Sequence, residues 1–323
     1  MPEIIPSARL PVATGAQIWA MTSYYNSAHI ERRRENFTLF RANLGVPLIA
    51  VEQGYDRPFE LMSSDADILI QIRGGDPMWQ KERLLNLALD ALPANCRYVA
   101  WLDCDVIFAR TDWPELAVKS LQSNVLVQLF RRVRYLKPEY TGGEPSEEDV
   151  ELSRWSIPSG IERGLPPADI FRDGDLNPFG KHANGFAWAA RRELMDCQRF
   201  FDTCIVGGGD RAMIAAALDC VDHIVDRQRM TRRHADLYRV WAKGFRDAVG
   251  GAFGWIEGDL FHLWHGPIEK RQQRERYRKL ARFDFDPTAD ITLTDNGIWR
   301  WSSDKPEMHA MVRDHLAIRC GSN

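Results

Sequence analysis

Apolar residues along this chain fall in short runs closed by polar turns, and those runs alternate with stretches of helical spacing. Residues 17–22 form the first run and end in Thr22-Ser23-Tyr24-Tyr25-Asn26, a polar and aromatic loop. Residues 29–44 place Ile30, Phe37, Phe40 and Leu44 at helical spacing, with Gly45 as a stop. Residues 47–51 make a second strand that ends at Glu52. Strand, helix and strand in that order predict a βαβ unit and a parallel sheet. A third strand over 67–72 leads into Arg73-Gly74-Gly75-Asp76. A helix opening near Trp79 then carries Leu84, Leu85, Ala88, Leu89 and Leu92 on one face until Pro93. Residues 98–102 are short and wholly apolar, the pattern of a buried central strand. Further on, the spacing predicts a helix over 113–121, a strand over 124–130, a returning strand over 185–190 and a helix over 191–201. An Ala-rich helix over 211–218, a strand near 256–263, a basic helix over 271–282 and a tail strand holding Trp299 and Trp301 after the Asn296-Gly297 turn complete the series. Residues 1–16 read as an irregular lead-in. Residues 136–180, rich in Pro, Gly, Asp and Glu, read as a long substrate loop or lid. The pattern is that of an α/β protein.

Composition narrows this picture. A chain of 323 residues, 45% hydrophobic, can bury a substantial core as one large domain or two small ones. No linker or internal repeat divides it. A net charge of -3 gives no global basic field, which argues against nucleic acid as a partner. The local basic runs, Arg32-Arg33-Arg34 and residues 270–282, read as solvated helix faces. The six cysteines contain no C-x-x-C pair, so neither a zinc ribbon nor a dense disulfide framework is expected; they fit a reducing cytosol. No signal peptide and no apolar run near the ~20 residues of a membrane span is present, so a cytoplasmic location is expected, with peripheral contact to a membrane surface left open. Eleven tryptophans suit either a large core or a sugar-binding cleft.

The central strand carries the candidate chemistry. It stops at Asp103-Cys104-Asp105, at the strand end where open α/β sheets bind ligands. Two carboxylates there need compensation, and a divalent cation such as Mn2+ or Mg2+, shared with substrate phosphates, supplies it. The plainer alternative is a strand ending in a turn capped by Asp103. Lys81 stands at a helix start, against the helix dipole, where a phosphate would account for it; the alternative is a solvent-facing lysine. Gly207-Gly208-Gly209-Asp210 places Asp210 as an N-cap or as a general base projecting into a cleft. His262 and His265 offer imidazoles for a metal. Three apart on a strand they would face opposite ways, so one ligand is expected rather than two.

With these pieces in order, the sequence resembles the nucleotide-sugar-dependent glycosyltransferases of the GT-A fold across about residues 17–270. The carriers are Trp101-Leu102-Asp103-Cys104-Asp105, Gly185-Phe186-Ala187-Trp188, Gly207-Gly208-Gly209-Asp210 and His262-Leu263-Trp264-His265-Gly266. The resemblance implies a single domain with a Rossmann-like, mostly parallel central sheet flanked by helices and a smaller acceptor-side subregion. The donor half would span about 17–130, the acceptor half about 131–270, and a C-terminal extension 271–323. It implies a UDP- or GDP-sugar as donor and a glycan or other hydroxyl as acceptor. Asp105 and His265 or His262 would hold the metal, with Asp103 on the ribose or on the metal through water. Thr22, Ser23, Tyr24, Glu52 and Arg73 would hold the nucleoside, with Lys81 adding positive charge. Gly185 and Trp188 would border the donor sugar and acceptor beside Gly208 and Gly209. Asp210 falls where inverting members carry their general base, although many members have Glu-Asp where this chain has Gly209-Asp210. By the same analogy, polysaccharide biosynthesis is implied, with a bacterial surface polysaccharide or lipid-linked glycan as acceptor. Two other readings stand beside this one: a non-catalytic nucleotide- or glycan-binding module, and a haloacid-dehalogenase-like phosphatase with Asp103 as nucleophile, which ordinarily has its Asp-x-Asp on the first strand.

Overall fold

Each of the first apolar runs forms a strand. The computed structural model describes residues 3–6, 17–27, 29–171, 182–267 and 274–319. It begins with β1 (Glu3–Pro6), β2 (Ile18–Tyr24), α1 (Glu31–Ala42), β3 (Leu48–Gly54), β4 (Ile68–Arg73), α2 (Lys81–Asp90) and β5 (Tyr98–Leu102). β2, β3 and β4 pair in parallel, and β5 joins β2 on its other side, again in parallel. The strand order therefore reverses between β2 and β5, and the crevice at their carboxyl ends is the position for a ligand. The predicted irregular lead-in is corrected in part. Glu3–Pro6 pairs antiparallel with β4 at the sheet edge, while the remainder of 1–16 lies outside the described residues.

The second half continues with β6 (Val106–Phe108), α3 (Trp113–Leu121), β7 (Leu126–Gln128), β8 (Arg132–Leu136), β9 (Val150–Trp155), α4 (Ile157–Glu162) and α5 (Pro167–Phe171). Next come β10 (Ala187–Arg191), α6 (Arg192–Gln198), α7 (Gly209–Ala217), α8 (Val221–Gln228), α9 (Arg232–Val249), β11 (Phe253–Trp255) and β12 (Asp259–His262). The chain closes with α10 (Glu275–Ala281), α11 (Pro287–Asp290), β13 (Ile291–Leu293), β14 (Trp299–Trp301) and α12 (Pro306–Arg319). The main sheet runs β1-β4-β3-β2-β5-β10-β7-β11, and β10 is antiparallel to both its neighbours. A second sheet runs β6-β12-β8-β9. The fold is thus a mixed α/β one, with a mostly parallel central sheet flanked by helices.

Alternation along the parallel strands buries both faces, as a sheet covered on two sides requires. Trp19, Met21, Ile49, Val51, Val99 and Trp101 point to one face, where Leu84, Leu85 and Leu89 of α2 and residues of α6, α7 and α9 cover them. Ile18, Ala20, Leu48, Ala50, Ala100 and Leu102 point to the other, against Phe37 and Phe40 of α1 and Trp113 of α3. Trp101, Trp113 and Trp188 are among the largest fully buried side chains, so part of the tryptophan surplus is core.

Two further expectations change. Residues 136–171, the described part of the expected loop or lid, carry regular structure. Part of the segment forms β9, which pairs antiparallel with β8, and then α4 and α5; 172–181 lie outside the described residues. The strand expected over 124–130 is shorter, β7 at Leu126–Gln128, and β8 follows it in the other sheet. Among the described residues no helix is long and apolar enough to cross a membrane, and Cys96, Cys104, Cys197, Cys204 and Cys220 are free thiols.

Candidate active site

β5 ends at Leu102, and the chain turns through Asp103-Cys104-Asp105 directly into β6. The Asp103 amide donates to the Phe186 carbonyl at 2.7 Å, which ties the turn to the segment leading into β10. β6 pairs antiparallel with β12, with Val106 opposite His262, and the Leu263 amide donates to the Asp105 carbonyl at 2.8 Å. This register, between residues some 160 positions apart in the chain, brings the end of β12 against Asp105. The strand stops at His262, so the alternation that would have separated the two histidines ends before His265. The rings lie 5.2 Å apart between centroids at 73°. His262 Nε2 is 3.8 Å and His265 Nε2 3.5 Å from the Asp105 carboxylate. Ligand atoms of Asp105, His262 and His265 all lie within 4.8 Å of one another. Neighbouring donors around an ion with bonds of about 2.1 Å sit roughly 3 Å apart, so one carboxylate and two imidazoles at this spacing fit a divalent cation. Tyr135 and Phe186 pack on the His262 ring, with centroids at 5.0 and 5.2 Å, and hold it toward the cleft.

Asp103 is not one of the three residues of that cluster. Its Oδ1 takes the Lys81 ammonium at 2.5 Å, and the same ammonium lies 3.1 and 2.9 Å from the two oxygens of Asp210. Two carboxylates therefore account for the lysine at the helix start. Burial alone would lower its pKa, but Asp103, Asp210 and Glu82 outweigh that and hold it above the usual lysine value. Asp210 is the second residue of α7; the N-cap is Gly208, at φ 107. Gly185 permits the approach, since a Cβ there would lie 2.7 Å from Asp210 Oδ2.

One lobe of the cleft is lined by Ser23, Tyr24, Arg33, Asp105, His262 and His265, together with Lys81, Asp103 and Asp210. A second lobe shares Trp79, Asp103, Phe186 and Asp210 with the first and adds Gly185, Gly208 and several arginines. Lys81, Asp103 and Asp210 thus stand at the junction, with the metal-type cluster on one side.

Four expected binding residues are placed elsewhere. Thr22 is fully buried and its hydroxyl donates to the Leu102 carbonyl at 2.7 Å, joining β2 to β5. Trp188 is wholly core, because β10 begins at Ala187 and alternation turns Trp188 inward; its indole N–H donates to the Asn184 carbonyl at 2.9 Å. Arg73 is exposed, donating to the carbonyls of Tyr55 and Arg57 and lying 4.2 Å from the Phe59 ring, where it holds that loop. Gly209 has no place in the lining of either lobe and packs against Glu82. Glu52 is buried, its carboxylate accepting from the amides of Glu60 and Leu61 and from the Gln71 side chain. Burial pushes its pKa up against those hydrogen bonds. It lines a neighbouring cavity with Asn26, His29 and Glu60, which begins where the first lobe's loop ends.

Sequence reasoning missed Arg33, Arg154, Arg211, Arg227 and Arg276 as cleft residues. Arg33 and Arg276 belong to the runs read as solvated faces, yet Arg276 is buried and both line the cleft. Phe186 adopts φ 77, uncommon for a bulky side chain, where it touches both lobes.

No family model matches the chain, and no curated protein does. Solved structures are similar in overall shape. Glucosyl-3-phosphoglycerate synthase from Mycobacterium tuberculosis, in complex with Mn2+, UDP-glucose and phosphoglyceric acid, is 18% identical, with a TM-score of 0.41 over 95% of this chain and 98% of that one. A mycobacterial protein is 17% identical, with a TM-score of 0.42 over 93% and 89%. The catalytic domain of Drosophila beta1,4galactosyltransferase 7, with xylobiose, is 10% identical, with a TM-score of 0.40 over 91% and 98%. At these values the likeness carries no residue and no activity over to this chain.

Proposed function

We propose that the chain is a metal-dependent glycosyltransferase of the GT-A type, moving a sugar from a nucleoside-diphosphate sugar to a hydroxyl acceptor with inversion. The observation that carries the reading is the Asp105–His262–His265 cluster at the switch point of the sheet, in one cleft with Asp210. A divalent cation held there supplies Lewis-acid stabilisation of the diphosphate leaving group. One carboxylate with two imidazoles suits Mn2+ better than Mg2+, which prefers all-oxygen sites. Arg33, in the same lobe, adds positive charge beside the phosphates. Ser23 and Tyr24 border the nucleoside, whose far end extends toward the cavity containing Glu52.

Asp210 accepts the proton of the acceptor hydroxyl. The acceptor oxygen bonds to the anomeric carbon while the bond from that carbon to the phosphate oxygen breaks, and the nucleoside diphosphate leaves with the electron pair. Lys81 orients Asp210 and Asp103 through one ammonium.

UDP- and GDP-sugars incubated with Mn2+ test the reading. Metal-dependent release of UDP or GDP is the expected result. Free phosphate from phosphomonoesters supports the phosphatase instead, and nucleotide binding without turnover supports the binding module. Asp105→Ala abolishes metal-dependent donor binding, whereas Asp210→Asn keeps donor binding and lowers turnover at least 100-fold, as expected for a general base. Full turnover in Asp210→Asn removes it as the base.

A further inference from the structure

The turn that carries Asp210 is held from outside its own helix. Gly207 and Gly208 take φ 86 and 107, and the N-cap of α7, Gly208, has no side chain with which to cap it. The carbonyls of the turn are bound by two other helices. The Tyr277 hydroxyl of α10 donates to the Gly207 carbonyl at 3.1 Å, and the Gln228 side-chain amide, at the end of α8, donates to the Gly208 carbonyl at 3.1 Å. Arg276 donates to the same Tyr277 hydroxyl at 2.7 Å, so the oxygen accepts from the guanidinium while its hydrogen is directed at Gly207. A Cβ at position 208 would lie 2.2 Å from that hydroxyl and 2.9 Å from the Gln228 nitrogen, so the approach requires glycine. Tyr277 and Gln228 are both buried.

The same end of the chain holds the partner of Asp210. Gln80, fully buried and immediately before Lys81, accepts from the Trp299 amide of β14 at 2.7 Å and donates to the Trp299 carbonyl at 3.1 Å. The Trp299 indole N–H donates to the Asp202 carbonyl at 3.0 Å, in the loop that leads to Gly207. Residues 274–319 thus brace both the start of α2, which presents Lys81, and the turn before Asp210, whose carboxylate meets the ammonium at 2.9 and 3.1 Å. We propose that Tyr277 is a positioning residue, whose hydroxyl fixes the 207–209 turn and through it the place of the Asp210 carboxylate against Lys81 and the acceptor. The C-terminal segment is then part of the machinery of the cleft. A misplacement of about 1 Å at a reacting group costs on the order of 100-fold in rate. The role of Asp210 as a base rests on the transferase reading; the mechanical coupling of Tyr277 to Asp210 does not.

Two measurements on the full chain test this. Tyr277→Phe keeps the ring among Val206, Leu280 and Phe285 and removes only the hydroxyl. In chemical denaturation its effect on the unfolding equilibrium constant is expected to be about fivefold smaller in a Lys81→Met background than in the wild type, because residues coupled through a backbone shift are not additive. Equal effects in the two backgrounds overturn the inference. In Mn2+-dependent release of UDP or GDP from a nucleotide sugar, Tyr277→Phe is expected to lower kcat about tenfold or more, with donor KM and the Mn2+-induced rise in unfolding midpoint unchanged. A general loosening of the fold would move all three, and that result, or an unchanged kcat, also overturns the inference. Gln228→Met, which frees the Gly208 carbonyl, is expected to repeat both results and serves in place of Tyr277→Phe if that variant folds poorly. If the coupling to Lys81 is present while the wild type releases no nucleotide, the transferase reading fails alone; turnover in the wild type that Tyr277→Phe retains removes only the positioning role.

Discussion

Lys81 shows how much one buried side chain decides. Its ammonium is almost wholly enclosed, with 7% side-chain exposure, and two carboxylates converge on it from β5 and α7. Lys81→Met leaves Asp103 and Asp210 facing each other without their common cation. Removing one partner of a buried ion pair costs about 3–5 kcal/mol, and the lower end applies here because both carboxylates keep some solvent access. Chemical denaturation is expected to show a loss of about 3 kcal/mol, and a loss under 1 kcal/mol refutes the clamp. The sequence exposed Lys81 as an oddity at a helix start but not its partners, since Asp210 lies 129 positions away. Asp105, by contrast, stood out from its neighbours alone, because an apolar strand that stops at a carboxylate pair has few explanations. The two histidines were visible as metal-type residues. That both face Asp105 depends on where β12 ends, and residue spacing does not fix that end point to one residue.

At the scale of elements, the parallel strands were readable because burial on both faces makes them continuous apolar runs. β9 was not. Its residues alternate between exposed and half-buried, and Pro and Gly on either side give the composition of a loop. α8 and α9 received no assignment from the sequence, although α9 is 18 residues long and amphipathic through Ala235, Tyr238, Ala242, Phe245 and Val249. The first turn of α9 carries a pH-dependent weakness. His234 is buried against Phe201 and Phe285, with its Nε2 3.2 Å from the Thr203 hydroxyl. Burial lowers its pKa to about 4, only partly opposed by Asp286. The folded state therefore prefers neutral imidazole, while the unfolded chain binds a proton below its ordinary value of about 6.5. Stability from this group is complete above about pH 6.5 and declines as pH falls toward 4, by roughly 3 kcal/mol in all. His234→Gln is expected to flatten that part of the stability profile between pH 7 and 4. Parallel profiles for the two proteins would show that His234 is not the titrating group.

Across the whole molecule, the cleft exists only when both sheets are assembled. The carboxylate of the cluster follows the last strand of the parallel set, and the imidazoles follow a strand of the second sheet, so an ion bound there ties the two together. The unfolded chain holds Asp105 and the two histidines about 160 residues apart and cannot present them as one site. A ligand that binds only the folded state stabilises it by RT ln(1 + [L]/Kd), about 2.7 kcal/mol at a hundredfold excess over Kd. For a chain of this size that corresponds to a rise in unfolding midpoint of several degrees, at roughly 2–4 °C per kcal/mol or slightly less. Thermal unfolding with Mn2+ is expected to show this rise, with a smaller one for Mg2+ at equal concentration because the imidazoles favour the softer ion. Asp105→Ala is expected to abolish the rise, and His265→Ala to reduce it more than His262→Ala, in keeping with the shorter separation of His265 from the carboxylate. The readout needs no donor, acceptor or turnover, so it judges the metal cluster independently of the reaction assigned to it. An unfolding midpoint that Mn2+ leaves unmoved would mean that the three side chains meet for packing alone, and the transferase reading would lose the observation on which it stands.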